Sequence, residues 1–153
     1  VRQPKLYRLM DKISTGGDPA LVDGRTVSEF DLPMSLRTAD SEAAYQQAKI
    51  DDALIPLYAE PVLHSFQHWY IIANRFPYDS CYKTSHMLLP NSRAAEWHQL
   101  TPAEKTELRE IIATYCQKHY HQVIENMTVR RSVLNIYHLH LVTFVDGREE
   151  FRL

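Results

Sequence analysis

Two histidines, His138 and His140, stand two apart inside an apolar run, Asn135-Ile136-Tyr137-His138-Leu139-His140-Leu141-Val142. If that run is a strand, alternation puts both imidazoles on one face with Leu134, Ile136 and Val142. A buried polar ring must find hydrogen bonds or cost stability, so two adjacent rings call for a reason. Two chemistries use such a pair. In one, a His-x-His strand gives two metal ligands and His86, from another strand, a third. In the other, a neutral imidazole nitrogen, available at pH 7, attacks phosphorus. The nucleotidyl-histidine that results is cleaved by water or a second substrate. Eight histidines are present in all. His68 and His86 belong to neighbouring core strands and can approach the same face. His64, His98, His119 and His121 read as ordinary structural or solvated residues, with His119 on the core side of a helix.

These residues need a frame. Phe66 to Ala73 alternates and then turns apolar, which predicts a strand. His86-Met87-Leu88-Leu89 predicts a second, ended by Pro90-Asn91. Thr101-Pro102-Ala103-Glu104 is a capping box with proline at the first helical position. Behind it Leu108, Ile111, Ile112, Tyr115, Cys116, His119, Val123 and Ile124 share one face of a helix over about six turns. A long strand is expected from Ser132 to Val145, and Asp146-Gly147 turns the chain into a last strand, Glu149 to Leu153. This order predicts an α+β fold, an antiparallel sheet with a long α-helix packed on it. Residues 61–153 form that core domain. Residues 1–60 read as an N-terminal extension packed on it, with a turn at Gly16-Gly17-Asp18-Pro19, a hairpin about Asp23-Gly24, and a short helix capped by Asp40 and running through Lys49.

Composition sets outer bounds. At 153 residues the chain is one domain's worth. Seventeen basic against nineteen acidic side chains, a net charge of −2, give no support for coating nucleic acid. The apolar runs are too short to span a bilayer, and the absence of a signal-peptide core near residue 1 makes the cytoplasm the expected location. Cys81 and Cys116 lack CxxC spacing and read as free thiols.

Four segments in order resemble the histidine triad (HIT-like) superfamily, over roughly residues 62–145. His68-Trp69-Tyr70-Ile71-Ile72-Ala73-Asn74-Arg75-Phe76-Pro77-Tyr78 resembles the strand and Asn-x-x-Pro-Tyr turn of its transferase and phosphorylase branches. Ser85-His86-Met87-Leu88-Leu89-Pro90 resembles its Gly-His-hydrophobic-Pro strand, Leu100-Thr101-Pro102-Ala103-Glu104 the start of its long helix, and Tyr137-His138-Leu139-His140-Leu141 its catalytic strand. The last also resembles the scavenger decapping enzymes.

That strand departs from His-x-His-x-His, or from the His-x-His-x-Gln of the galactose-1-phosphate uridylyltransferase and dinucleoside polyphosphate phosphorylase branches. Two registers fit. In the preferred one His138 leads, His140 is the nucleophile and Val142 stands for the third residue. In the other Ile136 replaces the leading histidine, His138 is the nucleophile and His140 is third. The family's glycine-rich loop is also replaced, by Met127-Thr128-Val129-Arg130-Arg131-Ser132-Val133.

The resemblance implies a nucleotide hydrolase or nucleotidyltransferase working through a nucleotidyl-histidine, with no metal or other cofactor in the chemical step. His140 and His138 would be catalytic. His86 would lie across the site, with Asn74, Phe76 and Tyr78 lining the nucleoside pocket, Asn135 at the place of a phosphate-contacting serine, and Arg131 offering charge to phosphate. The substrate would be a nucleotide or nucleotide conjugate, and a homodimer is the expected assembly. The alternatives are a catalytically degenerate module that binds a nucleotide or a protein, and a metal-binding protein using His138, His140 and His86.

Overall fold

The computed structural model describes residues 35–128, 131 and 133–146. Five antiparallel strands form one sheet: β1 (Val62–Ser65), β2 (Trp69–Ala73), β3 (Tyr82–Pro90), β4 (Gln122–Ile124) and β5 (Leu139–Phe144). Their spatial order is β1-β2-β3-β5-β4. Helix α1 (Ala39–Ile50) precedes the sheet, and α2 (Pro102–Ile111) lies between β3 and β4. The fold is α+β, as expected. Among the described residues no helix is long and apolar enough to cross a membrane. The turn at 16–19, the hairpin about 23–24 and the strand at 149–153 lie outside the described residues.

The strands alternate between two apolar layers. On one face Trp69, Ile71, Leu88, Leu139 and Leu141 pack against Leu108, Ile111 and Cys116 of the helix. The other face carries Tyr70, Ile72, Met87 and Leu89, joined by Ile136 and, half-buried, Leu57. The Trp69 indole N–H donates to the Glu104 carbonyl at 2.9 Å, fixing α2 on its face.

Several boundaries differ from the sequence reading. The strand expected at 66–73 begins only at Trp69, because the Phe66 N–H donates to the Trp69 carbonyl at 2.7 Å and closes a turn that joins β2 to a separate strand, β1, before it. The cap of α1 is Thr38, which accepts from Ser41 N–H, while Asp40 sits in the first turn. The long helix ends early. It widens into a π-helical turn over Ile112–Cys116 and closes with Gln117–His119. His119 is exposed rather than on the core side. Val123 and Ile124 leave the helix for β4, where they pair with Leu141 and His140. An unfilled edge of β5 offers these β-branched residues a whole row of hydrogen bonds, which outweighs helical periodicity. The strand expected from 132 begins only at Leu139, since the Tyr137 N–H donates to the Ala94 carbonyl instead of a neighbouring strand.

The capping box is present as read. Thr101 Oγ1 accepts from Glu104 N–H at 3.2 Å, and Glu104 Oε1 accepts from Thr101 N–H at 2.9 Å. Thr101→Ala removes one of these bonds and is expected to cost about 1 kcal/mol. Urea unfolding checks it through a lower midpoint at unchanged m-value.

Candidate functional site

The site is assembled around the turn between β2 and β3. Asn74 begins it: its Oδ1 accepts from Phe76 N–H at 3.1 Å, and its amide donates to Ser85 Oγ at 3.3 Å. The same Ser85 hydroxyl accepts from Tyr78 N–H at 3.2 Å. The turn therefore has one shape, and it holds Tyr78 beneath the sheet face. Its next residue, Asp79, accepts from Thr38 N–H at 2.8 Å and from the hydroxyls of Thr38 and Ser41. Burial pushes the Asp79 carboxyl up, but these bonds outweigh it and hold the group below its ordinary value. Arg37 Nε donates to the Phe76 carbonyl at 2.7 Å. These contacts dock the start of α1 on the turn.

Above the turn lie the two histidines, both buried (4% exposed for His138, 3% for His140). Their ring centroids are 5.2 Å apart, edge to face. His138 Nδ1 is 2.9 Å from the Ile136 carbonyl oxygen. A carbonyl only accepts, so the proton sits on Nδ1 and Nε2 keeps its lone pair. His140 Nε2 is 3.1 Å from the Tyr78 hydroxyl, and Asn126 Nδ2 donates to that hydroxyl at 2.7 Å. His140 Nδ1 is buried without a partner among the described residues. Burial pushes the His138 imidazole below its ordinary value. Burial first, then the neighbouring His138 and Arg37, lower His140 to about 3. Both rings are neutral at pH 7.

They open on a cleft of about 540 Å³ whose walls include Arg37, Tyr45, Lys49, Arg75, Phe76 and Asn135, a size that suits a small-molecule ligand. Its charged lining is Arg37, Lys49 and Arg75 against Glu60. Tyr45 meets Phe76 at 5.1 Å between ring centroids, and the Arg37 guanidinium and Lys49 ammonium each lie 4.3 Å from the Tyr45 ring centre. Aromatic faces suit a base and cations suit phosphate.

The residues singled out from sequence divide in three. His138, His140, Asn74, Phe76 and Asn135 line the cleft together. Tyr78 is buried behind it against His140, with ring centroids 4.4 Å apart, and serves the histidine rather than a nucleoside. Three do not reach it. His86 pairs with Leu141, whereas Met87 pairs with His140. Alternation thus turns His86 to the helix face, where its Nδ1 lies 2.8 Å from the Tyr120 hydroxyl. It neither lies across the site nor completes a metal triad with His138 and His140. Among the described residues no three His, Cys, Asp or Glu side chains are grouped to hold a metal ion. Arg131 is buried and ion-paired to Glu96 at 2.6 Å, and it is not among the residues that line the cleft. His68 lies at the far end of β2, where its N–H donates to Glu107 at 2.7 Å.

Sequence reading missed Arg37, Tyr45 and Lys49. Tyr45 and Lys49, together with Gln46, stand in the helix as ordinary amphipathic residues. Nothing in their spacing says that this helix docks beside strands far along the chain.

No protein-family profile matches the chain, and no curated protein is significantly similar to it. Solved structures to which the chain is similar include a hypothetical protein from Leishmania major (TM-score 0.47, 11% identity, covering 69% of this chain and 74% of that one). Two others are a histidine triad nucleotide-binding protein from Candida albicans (0.41, 15%, 63% and 71%) and a HIT family hydrolase from Legionella pneumophila Philadelphia 1 (0.43, 18%, 67% and 92%).

Burial of neutral histidines has a consequence for pH. The unfolded chain takes up protons on these rings near 6.5, while folded His140 does so only near 3. Stability is therefore complete above about 6.5 and declines as pH falls from there toward 3. Denaturant titrations between pH 7 and pH 5 are expected to show this decline, and a His138→Gln, His140→Gln variant a flatter one. An equal slope in both proteins would contradict neutral burial.

Proposed function

We propose that the cleft is a nucleotide-hydrolase or nucleotidyltransferase site in which His138, rather than His140, is the nucleophile. The observation that carries this reading is the 2.9 Å bond between His138 Nδ1 and the Ile136 carbonyl, which leaves the Nε2 lone pair unprotonated. His140 offers less: its Nε2 is taken by Tyr78. This corresponds to the second of the two registers, with Ile136 in the leading place.

In the reaction, His138 Nε2 attacks a phosphorus of the bound nucleotide. The N–P bond forms as the P–O bond to the leaving group breaks, and the electron pair departs on that oxygen. Water, or a second acceptor, then attacks the same phosphorus. The N–P bond breaks, the pair returns to Nε2, and the proton of the attacking group goes to solvent. Phe76 offers a face for the base, and Lys49 and Arg75 on the cleft wall offer charge to the phosphates. Asn135, on the cleft wall, would donate to a phosphate oxygen. A homodimer belongs to the same reading, as the resemblance implies.

The test is incubation with a panel of dinucleoside polyphosphates and nucleotide conjugates, quenched at neutral or basic pH to preserve the acid-labile N–P bond and followed by mass spectrometry. A nucleotidyl adduct on His138 is expected, with turnover falling by at least about 10³-fold in His138→Ala. An adduct on His140 would restore the first register. Saturable nucleotide binding with neither adduct nor turnover would leave a binding module in place of an enzyme.

A further inference from the structure

The Asn126–Tyr78–His140 chain has a direction. The Tyr78 hydroxyl has one proton and two partners. Asn126 meets it with its amide nitrogen at 2.7 Å, a group that only donates. The hydroxyl proton must then go to the other partner, His140 Nε2, at 3.1 Å. An Nε2 that accepts carries no proton, so the proton of this neutral ring is on Nδ1. We propose that Asn126 and Tyr78 are positioning residues that lock His140 as the neutral Nδ1–H tautomer beside the nucleophile.

The surroundings agree with the lock, except that the Nδ1–H it implies is buried with no acceptor among the described residues. Tyr78 is buried, and the tilted stacking of its ring on His140 fixes the approach of the hydroxyl. The Arg37 guanidinium lies 5.2 Å from the Tyr78 ring centre, and Glu42 binds Arg37 at 3.1 Å on its far side. His138 is the other titratable group against His140. Arg37 is a cation and Glu42 is already paired, so neither offers His140 an anion that would favour its charged form. His138 carries its proton on Nδ1 for the separate reason of the Ile136 carbonyl. Two adjacent rings thus hold the same tautomer by different means. A charged His140 would weaken the His138 lone pair, whose ring centroid is 5.2 Å away; the neutral ring does not, and its tautomer fixes which nitrogen carries the proton. The lock takes its catalytic meaning from the His138 reading, but the tautomer can be read with no substrate present.

Nitrogen NMR of histidine-labelled protein near pH 7 distinguishes protonated from bare ring nitrogens. In the wild type His140 is expected to be protonated at Nδ1 and bare at Nε2, by about fivefold, as one hydrogen bond of ordinary net strength gives. Asn126→Asp replaces the donor with an acceptor. Tyr78 then donates to the carboxylate and accepts from His140, so the proton moves to Nε2. Tyr78→Phe, which keeps the ring, releases the preference. A merely structural role for Asn126 or Tyr78 would change the melting temperature and leave the tautomer alone. An Nε2–H tautomer in the wild type, or one unmoved by both substitutions, would overturn the proposal. The adduct experiment reads His138, so either result stands or falls without the other.

Discussion

Strand β5 is buried on both faces, and that constraint orders the rest of the molecule. Leu139 and Leu141 enter the layer beneath the helix, and His140 and Val142 face the other way. Fully burying each leucine stabilises by about 1.5–3 kcal/mol. A one-residue slip would exchange the faces, exposing leucines to the cleft and driving imidazoles under the helix. The partner strand obeys the same rule, with Met87 opposite His140 and His86 opposite Leu141. Apolar packing on the helix side therefore fixes which histidines face the cleft. It also explains why His86, so close in space, belongs to different surroundings.

The polar side of β5 is then satisfied locally. The Ile136 carbonyl holds His138, and Tyr78 holds His140. The turn that carries Tyr78 also carries Asp79, which anchors the N-terminus of α1. One turn thus sets the orientation of a buried ring and the position of the helix that brings Tyr45 and Lys49 to the cleft wall. Because bonds from Asn74 and Ser85 shape this turn, a change there would reach both walls of the cleft. Arg131 acts from outside the cleft lining. Its pairing with Glu96, with the Tyr137 hydroxyl on Glu125 and the Tyr137 N–H on Ala94, secures the segment leading to His138.

Much of this was legible in the sequence. The spacing of His138 and His140 pointed to a shared site, which both line although His138 precedes β5; the capping box located α2, and the strand patterns gave an antiparallel sheet with a helix. Those features are local: alternation, capping and turn chemistry act over a few residues. Where reading failed, a distant partner had intervened. Val123 and Ile124 fit the helical stripe until the edge of β5 drew them into β4. Arg131 read as a free cation because Glu96, far back in the chain, was not visible as its partner.

The sequence by itself determined which side chains share a face, since side-chain period follows from backbone geometry. Only the tertiary structure decided what each face meets: that His86 lies under the helix, that α1 walls the cleft, and that Asn126 reaches Tyr78, 48 residues earlier in the chain, which in turn meets His140. Hydrogen-bond direction depends on which donor and acceptor are brought within about 3 Å, and that is a property of the packed chain rather than of any stretch of it.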